Sequence, residues 1–284
     1  MRIEILGSGG AITTPRPGCT CRICAEARAK GLPYTRSGPG IFVHGPDLLI
    51  DTSEEIKDQL NRAGIAQVPA CIYSHWHPDH TLGYRVWEAL NGDWQNWPHH
   101  HRCTDIYLPP RVAHDFRRWL GAWDQYRFME KNGLVRVIEL AEGESIRLNG
   151  TAIRPVRLAQ EYAYAFWLHD GDTRVLIAPD EVFAWEPPAE VCGLDVAVLP
   201  VGVFEVDPFT GDRLIPTDHP VLKSEATFPQ TLDIVRKLDA RRVILTHIGE
   251  PEQLSYDDGL RLADRLRGEG FDLTLAYDTM MIEF

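Results

Sequence analysis

The chain has 284 residues, 44% of them apolar, which is enough to bury a large core. Its 41 acidic residues outnumber 29 basic ones, and a net charge of −12 repels phosphate backbones and argues against extended nucleic-acid binding. No apolar run reaches the roughly 18 residues of a membrane span, and the opening MRIEILGSGG lacks the basic and apolar regions of a secretory signal, so a cytoplasmic address is expected.

MRIEILG reads as a short strand entering a glycine turn. PGCTCRICAEARA (17–29) follows, with Cys19, Cys21 and Cys24 within six residues of a loop that also holds Pro15, Pro17 and Gly18. In a reducing compartment, thiols this close read as a structural zinc site lacking one ligand, with a redox-active cluster or an empty relic as alternatives. Strands are predicted at IFVH (41–44) and DLLID (47–51). A helix capped by Ser53 and ended by Gly64 comes next, then the apolar strand ACIYS (70–74).

The stretch from about 84 to 134 reads as a helical extension, with one helix over Pro110 to Tyr126. Its Trp87, Trp94, Trp97, Trp119, Trp123, Tyr126 and Phe128 could wall a ligand cleft or simply form a core for extra helices. Arg111, Arg117, Arg118 and Arg127 read as a solvated helix face. The His99–His101 run beside Cys103 reads as an exposed loop, and Cys71 and Cys192 as core side chains.

Further strands are predicted at 135–140, 151–158, 163–169, 173–178, 195–201, 241–247 and 271–277, with helices over Pro229 to Leu238 and Ser255 to Arg267. Strands interleaved with fewer helices, with no linker or repeat between halves, predict one domain over 1–284 built of packed sheets with helices outside.

The segment ACIYSHWHPDHTLG (70–83) carries the chemistry. An apolar strand ends at Ser74, and Pro78 forbids its regular continuation. His75 and His77, two apart in extended chain, point the same way and can chelate one ion, while Asp79 and His80 face a neighbouring position. Imidazole and carboxylate suit zinc, and also iron or manganese. VLIAPD (175–180) and VILTH (243–247) each deliver a ligand-type residue, Asp180 and His247, at a strand's carboxyl end. Asp51 ends another strand at the same edge, where it reads as a carboxylate orienting a ligand histidine or as a turn residue.

These residues resemble the metallo-β-lactamase superfamily of hydrolases: SHWHPDH is similar to its HxHxDH signature, Asp180 to its bridging aspartate and LTHI to its final histidine. The resemblance runs from LGSGGA to the terminal AYDTMMIEF. It is nearest to the branch holding the phosphoribosyl cyclic phosphate phosphodiesterase of phosphonate breakdown and the pyrroloquinoline-quinone biosynthesis protein B, which share the early cysteine segment. It implies an α/β fold, the αββα four-layer sandwich, and one or two divalent ions. His75 and His77 would hold the first ion, Asp79, His80 and His247 the second, and Asp180 would bridge them. Zinc, manganese or iron would serve.

In family members a histidine precedes the strand written here AYAFWL, as third ligand of the first ion. This chain has Gln160 there, with Glu161 beside it. An amide oxygen ligates more weakly than imidazole, and Glu161 can substitute only if the loop turns it inward, so with Gln160 or Glu161 as ligand the first position is expected to be weakened or differently occupied. In that branch the fourth ligand of the cysteine zinc is a histidine three residues after the final metal histidine; this chain has Glu250 there, whose carboxylate can ligate zinc in its place, and the resemblance further implies a proton donor to the leaving group at His219.

The function expected is a metal-dependent phosphodiesterase using a metal-bound hydroxide on a small phosphoester or cyclic phosphate, with Asp79 and His219 catalytic. Alternatives are a tRNA 3′-processing ribonuclease and a metal-binding accessory protein with little hydrolytic activity. The partner expected is a small molecule, without nucleic acid or membrane, and a homodimer is left open.

Overall fold

The computed structural model describes residues 1–96 and 101–284. Trp97, His99 and His100 lie outside the described residues, whereas His101 and Cys103 are exposed.

The first sheet takes β1 (Arg2–Gly7), β2 (Gly40–His44), β3 (Leu48–Ile50), β4 (Ala70–Ile72), β5 (Thr104–Leu108) and β6 (Val135–Glu139). The second takes β7 (Ile146–Leu148), β8 (Thr151–Arg157), β9 (Tyr164–Asp170), β10 (Thr173–Ile177), β11 (Val196–Pro200), β12 (Arg242–Thr246) and β13 (Leu273–Leu275), before β14 (Met280–Glu283) returns to the first. The strand orders are β14-β1-β2-β3-β4-β5-β6 and β13-β12-β11-β10-β9-β8-β7. In each sheet one half is antiparallel, and β3 to β6 and β10 to β13 run parallel.

The continuous apolar runs of the second sheet are explained by burial on both faces. Val175 and Ile177, Val196 and Val198, and Ile244 face the core between the sheets. Their neighbours Leu176, Ala197, Leu199, Val243 and Leu245 face the outer core. This two-residue alternation is the strand's own geometry. The helices are α1 (Arg22–Lys30), α2 (Ile56–Ala63), α3 (Pro78–Thr81), α4 (Val86–Asn91), α5 (Pro110–Asp115), α6 (Trp123–Lys131), α7 (Phe228–Leu238) and α8 (Tyr256–Gly268), of which α2, α5 and α6 pack on the first sheet and α7 and α8 on the second. Leu232 and Val235 of α7 and Leu262 and Leu266 of α8 belong to the outer core of the second sheet. The expected αββα sandwich is the fold observed.

Two local expectations are corrected. The helix predicted over Pro110 to Tyr126 is broken: α5 runs into a π-helical turn, Phe116–Leu120, and stops at Gly121, whose φ of 68° is left-handed. The cysteine loop is half helix, because the alanine-rich run after Cys21 forms α1 and puts Cys24 in its first turn. The stretch 84–134 also supplies β5, between β4 and β6. Trp87, Phe116 and Tyr126 are buried in the core, so these aromatics act as packing. No helix among the described residues is long and apolar enough to cross a membrane.

Candidate metal centre

The carboxyl ends of the parallel strands from both sheets meet at one edge. Asp51 follows β3, His75 follows β4 by three residues, Asp180 follows β10 by three, and His247 follows β12 directly. Pro78 opens α3, which sets Asp79 and His80 in a helical first turn above the strand end. Asp51 and His247 both adopt left-handed backbone, with φ of 63° and 57°. Such conformations are costly for residues with a side chain and cluster at functional sites.

Three of these strand ends, after β4, β10 and β12, converge on shared contacts. His80 Nε2 lies 3.4 Å from Asp79 Oδ2 and 3.8 Å from Asp180 Oδ2. His247 Nε2 lies 3.4 Å from each of Asp79 Oδ2 and Asp180 Oδ2. Two donors each about 2.0–2.2 Å from one ion at the tetrahedral angle would stand about 3.3–3.6 Å apart. The ring pair His75–His77 has centroids 4.5 Å apart, and His75–His80 4.2 Å.

Asp51 is the anchor beneath. Its carboxylate accepts from the Ser74 amide (2.7 Å), the Ser74 hydroxyl (2.7 Å) and His80 Nδ1 (2.8 Å). With Nδ1 engaged, His80 turns Nε2 to the pocket, the arrangement by which a carboxylate orients a ligand imidazole. Ser74 Oγ lies 3.0 Å from His75 Nδ1 and orients that ring in turn. Gly10, from the first glycine turn, packs on the far histidine: a Cβ there would lie 2.9 Å from His247 Nδ1.

The residues fit a cation. His75 Nε2, His80 Nε2 and His247 Nε2 are buried without a hydrogen-bond partner, and orphaned polar atoms of this kind are rare in folded proteins. Burial, with His80 and His77 nearby, holds His75 well below the ordinary histidine range, so its ring is neutral and its lone pair free. Burial opposes charge on His80 and His247, but Asp79 and Asp51 outweigh it at His80, and Asp180 and Asp79 raise His247 to about 9. Burial likewise opposes ionisation of Asp79, yet His80 and His247 hold its carboxyl far below the usual range. The carboxylates thus draw positive charge onto the rings.

The other predicted residues are distributed as follows. Cys19, Cys21, Cys24 and Glu250 come together, with Glu250 Oε1 3.3 Å from Cys19 Sγ and 3.4 Å from Cys21 Sγ. Gln160 does not join the pocket: its Nε2 donates to the Ser224 carbonyl at 3.0 Å, and Glu161 is exposed. His219 is also exposed, accepts from the Val221 amide at 3.2 Å, and caps a short 3₁₀ turn away from the pocket lining. The sequence reading missed Glu181, Glu225 and Glu252, which line a cavity of about 230 Å³ together with Asp79, Asp180 and His247. Glu225 stands in SEATF, just past the DH stretch, and only the loop's return to the sheet edge reveals it.

Asp51→Ala strands several buried donors. A loss of about 2–4 kcal/mol in unfolding free energy is expected from urea melts, since each unsatisfied buried group costs about 1–3 kcal/mol. Asp51→Asn, which keeps an acceptor, is expected to lose less. Wild-type stability in Asp51→Ala would remove the anchoring role.

A family model described as a beta-lactamase superfamily domain matches residues 47–248. The chain is similar to a solved structure described as a new diphosphatase from the PhnP family, at 23% identity and a TM-score of 0.72, covering 100% of this chain and 97% of that one. It is similar to zinc-bound PqqB from Methylobacterium extorquens, at 17% identity and a TM-score of 0.67 with 100% of both chains covered. Human tRNase Z, short form, is similar at 17% identity and a TM-score of 0.62, covering 100% of this chain and 99% of that one. A curated octanoyltransferase of Porphyromonas gingivalis shares 36% identity over 84 residues, which are 29% of this chain and 17% of that protein. The chain therefore matches less than a fifth of that relative's length. At these identities the solved structures speak for the fold, and the family model, which spans more than half of the sequence, establishes that the chain belongs to the beta-lactamase superfamily.

Proposed function

We propose that this chain is a metal-dependent hydrolase acting as a phosphodiesterase on a small phosphoester. His75 and His77 would hold one divalent ion, Asp79, His80 and His247 would hold a second, and Asp180 would serve both. The observation that carries this reading is the set of buried, partnerless imidazole nitrogens facing carboxylates at ligand-pair spacing. When bound, such ions lower the pKa of water toward about 7 and stabilise charge on phosphoryl oxygens.

The chain's own residues then set the substrate. Among the described residues that line the cavity there is no lysine or arginine, and Glu225 and Glu252 add carboxylates to its wall. A phosphodiester, with a single negative charge, suits this wall better than a monoester dianion or a polyanionic RNA. The Glu225 carboxyl is raised by burial and by Asp180, and keeps its proton to higher pH than a surface glutamate. We assign it, in place of His219, the delivery of a proton to the leaving alkoxide. Cys19, Cys21, Cys24 and Glu250 make a structural zinc site tying α1 to the loop after β12.

Three outcomes are expected. Protein loaded with zinc, manganese, iron or cobalt hydrolyses bis(p-nitrophenyl) phosphate, and Asp79→Ala or chelation lowers turnover by more than about 100-fold, beyond the usual cost of losing an outer-shell partner. No turnover with any of the four metals removes the phosphodiesterase reading. Glu225→Gln lowers kcat by about 100-fold or more on an alkyl diester but little on a p-nitrophenyl one, whose phenolate leaves unprotonated. Equal losses on both substrates would contradict the acid assignment. Cys24→Ser lowers zinc content by one equivalent by elemental analysis, and unchanged content would reject the structural zinc.

A further inference from the structure

We propose that Glu181 is the third protein ligand of the first metal position, in place of the histidine that the chain lacks before β9. The inference rests on the two-ion reading given above. Glu181 is 3% exposed, and its Oε2 is buried without a hydrogen-bond partner. Its Oε1 lies 3.3 Å from His77 Nδ1. Ligand atoms of His75, His77, Asp180 and Glu181 all fall within 4.8 Å of one another.

The backbone explains how two consecutive residues reach one pocket. In extended chain Asp180 and Glu181 would point to opposite sides. Glu181 instead has a φ of 62°, in the left-handed region, which turns its side chain back toward the histidines. A glutamate is costly in that conformation, and the cost is tolerated where the surroundings hold it.

The rival role is that of a hydrogen-bond acceptor orienting His77, as Asp51 orients His80. The spacings separate the two. Asp51 Oδ2 meets His80 Nδ1 at 2.8 Å, an ordinary charge-assisted hydrogen bond. Glu181 meets His77 at 3.3 Å, close to the 3.4 Å separating Asp79 from His80 and from His247 in the second position. That is the separation of two atoms sharing an ion.

With Glu181 each position has two imidazoles, one carboxylate of its own and a share of Asp180. An oxygen replacing a nitrogen makes the first position harder and raises its relative preference for manganese or ferrous iron over zinc.

The test uses full-length protein, stripped by chelation and titrated with Mn²⁺, a poor match for the thiolate cluster. Wild type is expected to take two equivalents and to show the spin-coupled EPR spectrum of a Mn²⁺ pair. Glu181→Ala and Glu181→Gln are expected to take one and to show an isolated six-line signal, the lost site weakening by more than about 100-fold. Gln keeps an acceptor for His77, so an orienting role would cost it at most about 10–100-fold. Two equivalents and a coupled signal in Glu181→Gln, with folding verified by circular dichroism, overturn the assignment. Fewer than two equivalents in wild type overturn the two-ion reading instead.

Discussion

The Asp51 carboxylate binds the Ser74 amide, the Ser74 hydroxyl and His80 Nδ1 at once, and all of these groups are buried. Satisfying three donors inside the protein fixes the strand end after β4 to the strand end after β3. It also leaves His80 one nitrogen to present, and that nitrogen faces Asp79 and Asp180. Ser74 passes the same constraint to His75. Were Asp51 absent, the imidazoles would be free to find partners of their own, and the orphaned nitrogens that define the pocket would disappear.

The two sheets supply the rest through their shared plan. Each has a parallel half whose strands end at the same edge, and parallel strands put the turns that follow them side by side. Packing the sheets face to face brings Asp79 and His80 of one over Asp180 and His247 of the other. The site is therefore a property of the sandwich rather than of either half. The large core that holds the sheets together, from Ile3 and Ile50 to Phe166 and Ile177, is also what keeps these side chains at their spacing.

Much of this was legible in the chain, because burial on both faces writes the ends of β10 and β12 as the apolar runs VLIAP and VILT, each followed by one ligand-type residue, Asp180 and His247. The HxHxDH turn was legible for a similar reason, since Pro78 and the spacing of two leave few geometries. Glu181 was not legible, because alternation points it away from Asp180 and nothing in APDEV announces a left-handed residue. The carboxylates Glu225 and Glu252 come from loops after β11 and β12, and only the closed sandwich brings them to the cavity. Gln160 stands out in the sequence as a departure, but its place outside the pocket depends on the Ser224 carbonyl, a partner 64 residues away. The break at Gly121 went unseen because a helix-favouring pattern continues on both sides of it.

The wall of the cavity bears on the chemistry as directly as the ligands do. Asp79, Asp180, Glu181, Glu225 and Glu252 line it together, and burial raises Glu225, Glu252 and Glu181, the last to about 8. Mutual repulsion in so small a space is relieved by cations or by protons. Ions at the histidine positions would neutralise the inner carboxylates and leave Glu225 and Glu252 as outer groups. There a carboxyl can accept from substrate hydroxyls or give up a proton, but cannot hold a second phosphate. A basic wall would capture polyanions and hold the product. An acidic wall would instead disfavour a monoester once it gained its second charge, so the electrostatics that would favour the proposed diester would also release what its hydrolysis makes.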